Sequence, residues 1–106
     1  MAWIALVIAG LLEVVWAFTM KLSDGFSRLW PSVITFAAMI ASFALLAYSM
    51  RTLPLGTAYT MWTGIGGVGA FIVGVIVLGE STHPMRIAAA AMIIGGLVLM
   101  KLSPQN

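Results

Sequence analysis

Four long apolar runs alternate with three short polar connections along this 106-residue chain. The runs cover residues 2–20, 31–50, 55–78 and 85–102, and each comes close to the roughly 20 residues that a helix needs to cross a bilayer. The connections cover residues 21–30, 51–54 and 79–84 and are too short for an extramembrane domain. The pattern therefore predicts an all-α membrane protein, with residues 1–106 forming a single domain of four transmembrane helices.

All four prolines of the chain lie at the borders of these runs. Pro31 and Pro84 stand where a helix is predicted to begin, and there the missing N–H costs nothing because it would have no acceptor within the helix. Pro54 precedes the third run, and Pro104 follows the fourth. The positions of the helix breakers thus support the four-helix prediction independently of hydropathy.

The composition indicates that lipid surrounds most of the protein. Hydrophobic residues make up 62% of the chain and charged residues 8%, with a mean hydropathy of +1.12, whereas soluble domains carry about 25% charged residues. No basic cluster is present, so no nucleic-acid partner is predicted. The chain has no cysteine, and no metal site, cofactor site or nucleophile–base pair is recognisable, so enzyme chemistry is not expected.

The basic residues give almost no bias in membrane orientation. Lys21, Arg28 and Arg86 would lie on one side, and Arg51 and Lys101 on the other. Lysine and arginine near helix ends normally favour the cytoplasmic side. Two interpretations therefore stay open: one orientation with a weak bias, or insertion in both orientations, which would give antiparallel pairs of subunits.

Glu13 is the one charged residue in the middle of an apolar run. A charge at the centre of a transmembrane helix costs about 2.5–3.5 kcal/mol on insertion scales, so such residues usually face a cavity or a partner and have a function. One interpretation is a carboxyl that binds protons or an organic cation. The other is a neutral carboxyl that joins two helices through a hydrogen bond.

The helical face around Glu13 suits an organic cation. Gly10 and Trp16 lie three residues to either side and therefore share a face with the carboxyl. Gly10 is expected to leave space beside the carboxyl, and Trp16 to place a ring one turn away, too deep for an interfacial anchor. A carboxylate beside an aromatic ring binds cations through charge pairing and a cation–π contact.

The second and third runs carry polar groups at a similar depth. Tyr59 and Trp62 share one face, and their polar atoms need partners in lipid, for which Glu13 is the expected acceptor. The second run has hydroxyl residues at seven-residue spacing, namely Thr35, Ser42 and Ser49. Such hydroxyls commonly bond back to their own helix, and the mid-span position of Ser42 leaves open that it orients Glu13.

Small residues mark predicted sites of close helix packing. Gly64, Gly66 and Gly67 weaken the third helix locally and permit a kink, which is either a movable hinge or a static bend. Ala91 and Gly95 in the fourth run form a small-xxx-small pair, which is typical of a helix–helix interface in membranes.

Together these motifs resemble the small multidrug resistance family, and within it the guanidinium exporter subtype. The similarity extends over essentially the whole chain, in segments 10–17, 21–32, 53–59, 62–66 and 79–81. Trp16 and Lys101 resemble the guanidinium subtype, because the quaternary-ammonium subtype typically has a small residue at the position of Trp16. Thr60 departs from the family pattern, which often has alanine there, and this leaves the breadth of substrates open.

The resemblance implies an antiparallel, dual-topology homodimer in the bacterial inner membrane, with both Glu13 side chains in one central site. It also implies a kinked third helix, dimer contacts through the fourth helix, and binding roles for Trp16, Ser42, Tyr59 and Trp62. The implied activity is proton-coupled export of guanidinium, with small substituted guanidines as further substrates, by competition between proton and cation for Glu13. The alternative is export of quaternary ammonium and other lipophilic cations by the same carboxyl.

Two other function classes are alternatives to proton-coupled transport. A structural membrane subunit, such as a proton-carrying ring subunit, would explain Glu13 and the glycines but not the aromatic residues at the same depth. A channel would conduct ions without proton coupling. Protons, a guanidinium-type cation, membrane lipid and a second copy of the chain are therefore the predicted partners.

Overall fold

The computed structural model describes residues 1–103, and the border residue Pro104 lies outside this part of the chain. Four α-helices follow one another: α1 (Ala2–Leu22), α2 (Leu29–Ser49), α3 (Leu55–Leu78) and α4 (Pro84–Leu102). All four are long and apolar enough to cross a membrane, and residues 1–103 contain no strand. The prediction of an all-α fold with four transmembrane helices is confirmed.

Three prolines lie at helix starts. Pro54 is the N-cap of α3, and Pro84 is the first residue of α4. Pro31 is the third residue of α2, because that helix begins at Leu29, two residues before the predicted run. Proline is tolerated there, since the N–H groups of the first turn of a helix have no acceptor within the helix. α1 ends at Leu22, two residues after the predicted run, and so includes Lys21 in its last turn. A long lysine side chain can extend its ammonium toward water from that position.

A tight reversal joins α1 to α2. Asp24, Gly25 and Phe26 have positive φ angles of 50°, 71° and 67°, a region that residues other than glycine rarely adopt. The Ser23 hydroxyl holds the reversal together, because it donates to the Met20 carbonyl at 2.6 Å and accepts from the Phe26 N–H at 3.0 Å. The chain thus returns within six residues, and α2 packs along α1.

The subunit is a thin slab with α1 at its centre. The backbone of α1 contacts both α2 and α3, whereas that of α4 contacts α3 alone. The buried core lies where α1, α2 and α3 meet and includes Leu6, Ala9, Leu46, Ala58 and Trp62. The Cα atoms extend over 44 × 34 × 17 Å. Because a helix with its side chains is about 10–12 Å wide, the slab is no more than two helices thick.

Helix α4 packs against α3 alone and is the least covered helix of the subunit. None of its residues from Pro84 to Leu102 is buried. Ala91 and Gly95 are exposed, and a Cβ built on Gly95 would meet no atom of the described chain within 4 Å. The surface for helix packing that was predicted here is therefore not used within the subunit, and its role in a dimer stays a prediction.

Candidate functional site around Glu13

The Glu13 side chain leaves α1 and rests against α3 at Gly66. A Cβ built on Gly66 would overlap the Glu13 carboxyl, so glycine at this position lets the acid lie directly against α3, and a larger residue would displace the carboxyl. Glu13 is partly buried, and its Oε1 is fully buried without a hydrogen-bond partner among the described residues. Buried polar atoms are normally paired, so this oxygen is a place for a proton, and it can pair with a cation when the flexible side chain turns from α3.

A second unpaired polar atom lies one helical turn further along α1. The indole Nε1 of Trp16 is buried and has no hydrogen-bond partner among residues 1–103. The Trp16 ring meets the edge of Phe43, with 6.3 Å between ring centroids and 75° between planes. The unpaired Glu13 oxygen can accept N–H groups of a small planar cation, and aromatic faces attract cations. The Trp16 N–H is itself a donor and needs an acceptor, such as a carboxylate oxygen.

Ser42 connects three helices one turn before Glu13 along α1. Its hydroxyl donates to the Ala9 carbonyl of α1 at 2.7 Å and accepts from Trp62 Nε1 of α3 at 3.0 Å. In an α-helix the carbonyl of residue 9 is also the acceptor for the N–H of residue 13. Ser42 and Trp62 therefore support the turn that carries Glu13 without bonding to its carboxyl.

Two expectations about hydrogen bonds are corrected by this geometry. Glu13 was the expected acceptor for Trp62, but the Trp62 indole donates to Ser42, whose buried hydroxyl lies 3.0 Å away at the junction of α1, α2 and α3. The interpretation that Ser42 bonds back to its own helix is wrong for the same reason. The same interpretation is confirmed for the other two hydroxyl residues at seven-residue spacing. Thr35 donates to the Pro31 carbonyl and Ser49 to the Leu46 carbonyl, each at 2.7 Å.

The space beside the Glu13 carboxyl was expected at Gly10 but lies at Gly66. Space beside the Glu13 carboxyl is supplied by Gly66, whereas Gly10 is filled by Ile65 of α3, whose Cγ2 would lie 2.6 Å from an added Cβ. Gly64 receives Leu97 of α4 in the same way. Gly10, Gly64 and Gly66 thus each permit the close approach of a side chain from a neighbouring helix.

Further members of the predicted site lie toward its open side. Tyr59 is 53% exposed, and its ring centroid is 5.7 Å from that of Trp62. Gly67 is exposed, and a Cβ there would meet nothing within 4 Å. Thr60 lines a largely apolar groove of about 610 Å³ between α3 and α4. Lys101 lies apart from Glu13 and places its ammonium 4.4 Å from the centre of the Trp3 ring.

Phe43 is the site residue that the sequence analysis missed. Its ring touches both tryptophans of the site, at 6.3 Å from Trp16 and 5.7 Å from Trp62 between centroids. The available signal was its position directly after Ser42, which puts an aromatic ring at the same depth on the second helix. Residues 1–103 contain no group of three His, Cys, Asp or Glu side chains placed to hold a metal ion.

Comparison with known proteins decides the family. A profile of the Small Multidrug Resistance protein family matches residues 1–93. The chain belongs to the small multidrug resistance family. The protein named guanidinium exporter from Escherichia coli (strain K12) is 63% identical to it over 103 residues, which cover 97% of this chain and 98% of that relative. Guanidinium exporters of Citrobacter freundii and Salmonella typhimurium are 58% identical over the same length and with the same coverage.

Membership in the small multidrug resistance family confirms the resemblance inferred from the motifs. With four membrane-spanning helices, the chain is a multi-pass protein of the bacterial inner membrane. Its relatives are named as exporters, which indicates transport rather than enzyme catalysis.

Proposed function

We propose that this protein exports guanidinium in exchange for protons, and that both ligands compete for the Glu13 carboxyl. The observation that carries the proposal is the buried, unpaired Oε1 of Glu13 inside an apolar helix. Relatives that are 58–63% identical over nearly the whole chain and named guanidinium exporters support the choice of substrate.

The groups around Glu13 match the chemistry of a guanidinium ion. This ion is planar, presents paired N–H donors that fit the two oxygens of a carboxylate, and stacks on aromatic faces. Trp16, on the same helix as the acid, and Phe43, on the neighbouring α2, offer aromatic surface. Tyr59, at the exposed edge of the site, would close it behind the bound ion.

Competition for one carboxyl is sufficient for exchange transport. A protonated Glu13 cannot pair with a cation, and a Glu13 paired with a cation cannot hold a proton. If the protein changes its open side only when one of them is bound, protons that move inward drive guanidinium outward. Two Glu13 carboxyls in one central site would exchange protons as a coupled pair rather than as independent groups.

The transporting unit in this proposal is an antiparallel homodimer of subunits inserted in both orientations. The near balance of basic residues supports dual insertion. The sparse covering of α4, with Ala91 and Gly95 exposed, supports an interface between subunits through small residues. In such a pair of identical chains, the inward-facing and outward-facing states are equivalent by symmetry. Gly64, Gly66 and Gly67 would give α3 the freedom to bend between them.

Export of quaternary ammonium ions is the second candidate. The groove beside Thr60 has room, at about 610 Å³, for an alkyl substituent, and its lining is mostly apolar. Guanidinium and a bulky quaternary ammonium ion should be tested against each other for binding. Tight binding of the ammonium ion with little competition from guanidinium would favour this candidate.

The decisive experiment is guanidinium uptake into proteoliposomes driven by a proton gradient. Wild-type protein should accumulate guanidinium, whereas Glu13→Gln, which keeps the shape of the side chain but cannot exchange a proton, should lose coupled uptake. Undiminished uptake by Glu13→Gln would refute the mechanism. Uptake that ignores the proton gradient would point to a channel.

A further inference from the structure

A second carboxylate, outside the Glu13 site, lies where α3 ends at the membrane surface. Glu80 follows Gly79, whose φ is 69°, and the Glu80 N–H donates to the Gly74 carbonyl at 3.0 Å. The side chain folds back over the helix, since a Cβ built on Gly74 would lie 2.5 Å from Glu80 Oε1. Glycine at position 74 makes room for this carboxylate, as Gly66 does for Glu13.

This carboxylate already faces a guanidinium group, that of Arg86. Arg86 Nη2 lies 3.5 Å from Glu80 Oε1, and Nη1 donates to the Ser81 carbonyl at 2.6 Å. The guanidinium carbon is 4.9 Å from the centre of the Phe71 ring. A carboxylate, a carbonyl and an aromatic ring, the groups that recognise guanidinium, thus converge on one ion. The two charged side chains are 38% and 43% exposed, so their pairing is weak and separable.

A cleft of about 320 Å³ leads from this pair toward the depth of Glu13. Glu80 and Arg86 line one end of the cleft, and Ala17 and Gly67 line the other. Ala17 is one helical turn beyond Glu13 on α1, and Gly67 is the next residue along α3 after the glycine on which the Glu13 carboxyl rests. A cation in the cleft therefore has Glu80 at one end and the neighbourhood of Glu13 at the other, with aromatic and small side chains such as Phe71 and Ala70 between them.

We infer that Glu80, with the Phe71 ring and the Ser81 carbonyl, forms a second and weaker guanidinium site at the mouth of this cleft. Arg86 fills the site until a substrate guanidinium displaces it. The inference rests on the proposed function, because it assigns a waiting position on the path of the same substrate. Lys21 also lines the cleft, so the cleft holds two basic side chains for one carboxylate, which keeps the residence of the substrate short.

The test removes the central site and asks whether a binding site is left. Glu13→Gln protein in lipid bicelles is titrated with guanidinium chloride at constant ionic strength while NMR follows the Arg86 Nε–H and the Glu80 amide. Both signals should shift and saturate as substrate displaces the arginine. Adding Glu80→Gln should weaken this binding about two- to fivefold, the range expected for a half-exposed ion pair. Adding Arg86→Gln instead should tighten it by a similar factor, because the internal competitor is gone.

Asp24→Asn is the matched control. Asp24 is an exposed carboxylate in the α1–α2 connection, on the same side of the membrane as Glu80, and asparagine tolerates its positive φ. This change should leave the titration unaltered. The inference is overturned if the shifts do not saturate, if Asp24→Asn weakens binding as much as Glu80→Gln, or if Arg86→Gln fails to tighten it. The proposed function fails by a separate result, equal coupled transport by wild type and Glu13→Gln, which does not depend on this titration.

Discussion

Replacing Ser42 by alanine removes one oxygen that connects three helices. The hydroxyl is fully buried and makes hydrogen bonds of 2.7 Å to the Ala9 carbonyl and 3.0 Å from Trp62 Nε1. Hydrogen bonds between transmembrane helices contribute about 0.6 kcal/mol each on average, so the two together contribute about 1.2 kcal/mol. The Trp62 N–H left without an acceptor adds a desolvation cost, and we expect the free energy of unfolding to fall by about 2 kcal/mol.

Unfolding in mixed micelles with increasing fractions of denaturing detergent, followed by tryptophan fluorescence, measures this loss. Ser49→Ala is the matched control, because Ser49 is equally buried in the same helix but bonds only to the Leu46 carbonyl one turn away; it should cost a few tenths of a kcal/mol. Guanidinium affinity should also fall in Ser42→Ala and not in Ser49→Ala, because the Ala9 carbonyl belongs to the turn that carries Glu13.

A double-mutant cycle with Trp62→Phe isolates the bond between the two side chains. In the Trp62→Phe background no indole N–H is left unpaired, so Ser42→Ala should cost about half as much as in wild type. Equal unfolding free energies for Ser42→Ala and Ser49→Ala, or additive costs for Ser42→Ala and Trp62→Phe, would refute the bridging role of this hydroxyl.

Three further changes test the site and its surroundings. Gly66→Ala places a methyl group on the Glu13 carboxyl and should weaken guanidinium binding at least about tenfold by overpacking. Gly56→Ala is the control, because a Cβ at that position meets nothing within 4 Å, and it should leave binding unchanged. Equal effects of the two changes on binding would contradict the close approach of Glu13 to Gly66. Lowering the pH should raise the apparent Kd for guanidinium, by up to about tenfold per unit where one proton is displaced, and calorimetry that finds a pH-independent Kd would exclude competition. Lys101→Met should lower stability by about 0.5–1 kcal/mol through loss of the contact with Trp3, and no change in the detergent titration would show that this contact is not stabilising.

The number of helices and the acid at the centre could be predicted because both depend on residue type alone. Apolar runs of membrane-spanning length permit few folds in lipid, since backbone polar groups must be satisfied within the helix. Glu13 was conspicuous because a carboxyl in such a run is costly wherever it points. These features need no knowledge of how the helices face one another.

The contacts between helices could not be predicted in the same way. Whether Gly10 or Gly66 lies beside the carboxyl depends on the rotation and register of α1 against α3, and neither is encoded in one helix. The Ser42 hydroxyl donates to the backbone carbonyl of Ala9. Because every residue has a backbone carbonyl, the sequence does not show which one accepts this hydrogen bond. Phe43 was missed because it follows Ser42 directly, and adjacent residues on a helix point about 100° apart.

The thinness of the subunit has a thermodynamic consequence. Across a depth of 17 Å, Glu13 and Trp16 are only partly buried, so whatever lies against the open side of the slab completes their surroundings. Lipid molecules and a neighbouring copy compete for that side, and mass action then makes the apparent stability vary with the protein-to-lipid ratio. Diluting the protein in a vesicle by adding lipid should lower its resistance to unfolding, although no residue has been altered.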